Sequence, residues 1–225
     1  MAIRNGAETT VIGRRCLLLA GATMAARRAW AALPVPADNE LAFRLIRHGS
    51  EIGRHTLTFE RQGDRLNVHI AVDAQITLFS IPIAHYTHRA VETWQGDTLV
   101  GLSGQTNKNG DHEWINARRT DEGLVVLGSK TARYVAPPQA IGITYWNKRM
   151  LNGPMISMDD GVLVRPKVAE VRTEAIPVAS GGHIPAEHYN ISGVFNVDVW
   201  YDHTDMWASL ALNISDGSEV RYERL

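Results

Sequence analysis

From Arg65 to Ala74 (RLNVHIAVDA) apolar and polar side chains alternate, and that period of two constrains this chain more than any other feature. Leu66, Val68, Ile70, Val72 and Ala74 fall on one side of an extended backbone, with Arg65, Asn67, His69 and Asp73 on the other. Such a segment is a half-buried strand in an antiparallel sheet with one wet face. Weaker versions recur. Leu41, Phe43 and Leu45 alternate with Ala42, Arg44 and Ile46; Leu57 and Phe59 with Thr56, Thr58 and Glu60. Ala208, Leu210, Leu212 and Ile214 alternate with Trp207, Ser209, Ala211 and Asn213, and Val220 and Tyr222 with Glu219, Arg221 and Glu223. Between them stand Gly-containing turn signals at His48-Gly49-Ser50, Gln62-Gly63-Asp64, Gln95-Gly96-Asp97, Asn109-Gly110, Glu122-Gly123, Asp160-Gly161 and Asp216-Gly217. The echo of QGDRL in QGDTL is not kept by the other turns, which predicts a meander and not a solenoid or propeller.

The first 31 residues read as a leader. A basic opening ends in Arg14-Arg15, an uncharged run follows from Cys16 to Ala26, and Ala29-x-Ala31 offers a cleavage site. Leu17-Leu18 after the arginine pair resembles a twin-arginine signal, although Gly13 and Leu17 depart from that pattern. Arg27-Arg28 before the cleavage site also favours the twin-arginine route over the general secretory one. The expectation is export to the periplasm or beyond, with cleavage near Ala31. No stretch approaches the ~18 apolar residues of a spanning helix, so the mature chain is not expected to be an integral membrane protein. Residues 32–39, with two prolines, read as an extended linker, and 40–225 as a single β-rich domain.

The leader takes 31 of 225 residues, leaving 194, enough for one domain with a real core. It also takes five of the 23 basic and one of the 24 acidic residues, so the remainder carries 18 against 23, a net charge of −5. A mildly acidic chain without basic runs is a poor partner for nucleic acid or anionic lipid. The single cysteine, Cys16, leaves with the leader, so no disulfide, thiol nucleophile or Cys-based metal site is expected. No G-x-S-x-G elbow, phosphate loop or dinucleotide fingerprint is present, and no cofactor or metal is expected.

Four clusters carry chemistry-bearing side chains. His85-Tyr86-Thr87-His88, followed by Glu92 and Trp94, puts Tyr86, His88, Glu92 and Trp94 on one strand face. His88 and Glu92 lie ~13 Å apart along a strand, too far to ligate one ion by themselves. The plain reading is a wet face with one buried pair; the functional reading is the polar end of a ligand cavity. Asp111-His112-Glu113 has ligand residue types without ligand spacing and reads as turn and strand entry. Asp202 and Asp205 flank a loop beside His203, where carboxylates cap backbone N–H groups, and an Asp202–His203 acid–base pair is the alternative. Tyr145-Trp146-Asn147 lies in an irregular stretch, Gln139 to Gly153, that predicts a short helix or lid around Trp146 to Leu151. Its aromatics suit a lid packed on the sheet, the wall of an apolar pocket, or both. Ser180-Gly181-Gly182 reads as a flexible connection.

Trp200-Tyr201-Asp202, Asp216-Gly217 and the closing Tyr222-x-x-Leu225 resemble a family of exported bacterial proteins of unknown function. The hairpin from Gly49 to Gly53, Glu92 with Trp94, and Tyr145-Trp146 belong to the same likeness, which covers most of 40–225. More distantly the chain resembles periplasmic lipoprotein carriers with half-barrel folds. That resemblance implies a strongly bent sheet with a lid across its concave face and an apolar cavity between, and it brings no catalytic residues. The resulting expectation is an all-β domain with minor α content: a large curved antiparallel sheet, or open or half barrel, under a short helical lid. Its expected role is that of a non-enzymatic carrier of an apolar or amphipathic small molecule, lipids included. Tyr86, Trp94, Tyr145 and Trp146 would line the cavity, and His88 and Glu92 would fix a polar head. A hydrolase or lyase using His85, His88, Glu92 or Asp202 is the first alternative, and a module that pairs through sheet edges is the second.

Overall fold

The structure, a computed structural model, describes residues 33–78, 81–214 and 216–225. The leader over 1–31 and its cleavage point near Ala31 lie outside the described residues. Of the stretch read as a linker, Leu33 is buried in the core and Val35 packs against it.

Eight strands follow in a meander: β1 (Glu40–Arg47), β2 (Ser50–Gln62), β3 (Arg65–Leu78), β4 (Ile81–Gln95), β5 (Thr98–Lys108), β6 (Asp111–Thr120), β7 (Gly123–Gly128) and β8 (Thr131–Ala136). Two-residue turns join β1 to β2, β2 to β3, β4 to β5 and β5 to β6 where the sequence predicts them. At Asn109-Gly110 both central residues have positive φ, 57° and 100°, the geometry whose twist matches paired strands. A strap comes next, carrying β9 (Ile141–Gly142), a 3-10 turn over Lys148–Asn152, β10 (Met155–Ile156) and β11 (Leu163–Val164). Asn147 caps the 3-10 turn by accepting from the Arg149 N–H. The predicted helical lid is thus one short turn within a mostly extended strap. Five more strands complete the chain: β12 (Lys167–Val178), β13 (Gly182–Ser192), β14 (Val197–Asp202), β15 (Trp207–Asn213) and β16 (Glu219–Arg224). Ser180-Gly181 turns tightly between the long strands β12 and β13, with the Gly181 N–H bonded to the Val178 carbonyl, so the flexible connection is replaced by a hairpin.

Strand order in the main sheet is β12-β13-β14-β15-β16-β1-β2-β3-β4-β5-β6-β7-β8, thirteen strands with every neighbour antiparallel. First and last strands are therefore partners in mid-sheet, Phe43 opposite Arg224 and Leu45 opposite Tyr222. The sheet is an open one, and the strap shows that it curls. Tyr201 on β14 bonds the Tyr145 carbonyl, while Thr144 and Trp146 on either side bond Glu92 on β4. Those strands are six ladder steps apart, about 29 Å on a flat sheet, so neighbouring residues can reach both only if the sheet wraps round them. Bulges at Leu45/Ile46, Ile76/Thr77, Thr93/Trp94 and Trp200/Tyr201 supply local bending.

Inward residues stack as rungs across the strands. Leu57, Ile70, Ala90, Gly104 and Ile115 form one, and Phe59, Val68, Glu92, Leu102 and Ala117 the next. The strap lies directly on them, and glycines make room for it. A Cβ on Gly104 would stand 2.6 Å from the Met158 carbonyl oxygen, and one on Gly128 would collide with that of Asp160. One prediction fails in β15. The bulge opposite Trp200/Tyr201 puts Trp207 with Leu210 in the main core, whereas Ala208 and Ala211 join Trp200, Ile176 and Ala186 in a second cluster on the other face. The extra residue reverses the alternation at that point, which no period-of-two reading can register.

Candidate functional site

Between the curled sheet and the strap lies a cavity of about 670 Å³, within the ~300–1,000 Å³ usual for small-molecule sites. Most of its wall is aliphatic or aromatic, with Ile52, Val72, Val164, Phe195, Val220 and Tyr222 representative. One side is polar, and the sheet's register explains why. The rung next to the dry ones runs Phe43, His55, Val72, His88, Thr106, Glu113, with every member buried. Asp159, from the turn between β10 and β11, comes down onto this rung from the strap.

Asp159 is the hub. Its Oδ1 accepts from Tyr86 Oη at 3.0 Å and Thr106 Oγ1 at 2.8 Å, and its Oδ2 faces Lys108 Nζ at 2.8 Å. Thr106 spends its one proton on Asp159, so its 2.7 Å bond with His88 runs from Nδ1–H to the hydroxyl oxygen. His88 Nε2 is then left with a lone pair. Lys108 also reaches Glu113 at 2.7 Å, and Glu113 bonds Lys130 as well. Two carboxylates and two ammonium groups thus cancel along this wall. Burial pushes the Asp159 carboxyl up, but the bonds from Lys108 and Thr106 outweigh it and hold the group below its ordinary value. Burial lowers His88 despite Asp159, favouring the neutral ring. Burial and then Asp159 drive the Tyr86 phenol far upward, so it stays a donor.

Across Val72 from His88 stands His55, boxed edge-on by Trp207 at 5.1 Å, Tyr222 at 5.7 Å and Phe43 at 6.4 Å between ring centroids. It is 5% exposed, and neither ring nitrogen has a hydrogen-bond partner among the described residues. Burial, with His88 adding to it, lowers its pKa to about 3.

Of the residues singled out in the sequence, His85, Tyr86, His88 and Tyr145 line this cavity, His85 as an exposed residue. Tyr145 adopts a left-handed backbone (φ 62°) that turns the strap there. Glu92, Trp94 and Trp146 lie deeper and are fully buried, Glu92 two rungs from His88, Trp94 one rung further, and Trp146 in the strap. The Glu92 carboxylate accepts from Trp94 Nε1 (3.0 Å), Trp146 Nε1 (2.7 Å) and Thr144 Oγ1 (2.9 Å), and so fastens strap to sheet. His85, Glu92 and Asp202 do not converge on His88. His85 is exposed and bonds Asp73, and Asp202 is taken up by Thr204, the Met206 N–H and Arg224. Among the described residues no three His, Cys, Asp or Glu side chains gather for a metal ion.

His55, Asp159, Lys108 and Tyr222 were not legible as site residues. His55 carries a signal: it shares parity with Leu57 and Phe59, so the inward face of β2 includes it. Asp159 gives none beyond a turn, because its position depends on how the strap folds back.

A family model described as a domain of unknown function (DUF6134) matches residues 43–225. No curated protein matches the chain.

Proposed function

The chain belongs to the DUF6134 family, and from its cavity and its leader we propose an exported, non-enzymatic binding or carrier protein for an apolar or amphipathic small molecule. The observation that carries the reading is the 670 Å³ space under the strap, whose wall is aliphatic and aromatic except for one neutralised polar side. A core filled by its own side chains would have no such space. The leader supports the exported part of the reading, since Arg14-Arg15, the short apolar run and Ala29-x-Ala31 form an export signal in order.

Native mass spectrometry of the protein from the periplasmic fraction of its own cells, followed by denaturing extraction, tests both parts. The expected result is a chain lacking residues 1–31 that carries a stoichiometric apolar passenger. A clean apo mass counts against the carrier, and an intact leader in the cytoplasmic fraction counts against export.

A second reading, pairing through the sheet edge, draws on the exposed Trp114, Leu127 and Val135 near β8, an end strand of the order. Sedimentation across a concentration series tests it, with a sharp rise in mass expected if that edge pairs.

A further inference from the structure

His55 stands out against every other buried polar group along the cavity. Tyr86, Thr106, Lys108 and Asp159 satisfy one another and His88 gives its Nδ1–H to Thr106, whereas neither nitrogen of the His55 ring has a partner among the described residues. Leaving such groups buried and unanswered is costly, and an apolar ring would fill the same cage of Phe43, Trp207 and Tyr222 without that penalty. The ring also forms part of the cavity wall. Both nitrogens are closed to solvent, so a partner that enters from the cavity meets them by shifting the ring within its cage.

The surrounding charges define that partner. Lys108 is shared between Asp159 and Glu113, and Lys130 is engaged by Glu113, so among the described residues this wall has no uncommitted cation to meet an anion. Burial keeps the His55 imidazole neutral at ordinary pH, so it offers one N–H and one lone pair but no charge. We propose that His55 recognises the polar end of the ligand, and that the ligand is an uncharged amphiphile ending in a hydroxyl, which can answer either nitrogen. The inference rests on the carrier reading and deepens it, because it makes His55 the specificity determinant and excludes carboxylate and phosphate heads from the preferred cargo.

The test is displacement of a neutral fluorescent apolar dye, N-phenyl-naphthylamine, from the full-length protein by dodecanol, dodecanoate and dodecyl phosphate. These share one chain and differ in head. Dodecanol is expected to bind about tenfold tighter than either anion, the worth of one buried hydrogen bond. His55→Phe is expected to weaken dodecanol about tenfold relative to the dye. Dye binding with equal dodecanol affinity in parent and variant overturns the role of His55 and leaves the carrier standing. A preference for dodecanoate or dodecyl phosphate overturns the uncharged head. Failure of the parent to bind dye and all three competitors takes down carrier and inference together. If His55→Phe does not fold, nitrogen NMR of the parent decides: dodecanol must move the His55 ring resonances, and an unmoved pair overturns the proposal.

Discussion

A buried imidazole without a partner leaves a mark on stability as well as on binding. The ordinary histidine value is 6.5, and in the fold His55 falls to about 3. The unfolded chain therefore takes up a proton that the folded one refuses. The stability this contributes is full above pH ~6.5 and is lost as pH falls toward ~3, at most about 5 kcal/mol over the whole interval. His88, also lowered by burial, acts with the same sign. Glu92 acts oppositely, since burial raises its carboxyl against the bonds from Trp94, Trp146 and Thr144, and its contribution fades as pH rises through the folded value. Urea melts across pH 4 to 7 should show a clearly shallower acid slope for His55→Phe than for the parent; parallel slopes would mean that the ring is not sealed as described. The sequence disclosed half of this residue. Its parity with Leu57 and Phe59 places it inward, but the cage depends on Trp207 and Tyr222, far away in the chain and brought near only by the β1–β16 pairing.

At the level of elements, strands and turns were largely legible because both are local: alternation marks a strand, and positive-φ residues mark its ends. The strap was legible only as an interruption. Its path depends on contacts with the sheet, such as Glu92 receiving Thr144 and Trp146, and Lys148 reaching Glu187 and Asp205. No pattern within 137–166 encodes those partners. Gly128 gives a way to test the docking, because an added methyl there has the Asp160 carbonyl in its place. Gly128→Ala is expected to lift the Asp160-Gly161 turn, destabilise the fold by about 1–3 kcal/mol and weaken dye binding. A variant with parental melting and parental dye affinity would show that the strap does not rest there. The end strands carry their own protection. On β12, Lys167, Glu170, Arg172, Glu174 and Pro177 set charges and a missing donor along an otherwise sticky edge.

For the whole molecule, the decisive feature is the join of β1 to β16. The meander β1–β8 and the meander β12–β16 are each local, but their union pairs residues nearly the full chain apart, as in the bond from the Leu225 N–H to the Ala42 carbonyl. Such closure is slow, since chain entropy is lost before the contacts form. Removing Glu219–Leu225 leaves β1 and β15 with open edges and strips Val220 and Tyr222 from the cavity. Gel filtration is expected to show aggregate in place of monomer, and a monomer that still binds dye would overturn this account of the seam. The same join sets a clock. β16 is the last of the described strands to be synthesised, so a growing chain on the ribosome has a floor and a roof before it has that side. A ligand of the proposed kind meets a complete wall only once β16 has settled between β15 and β1.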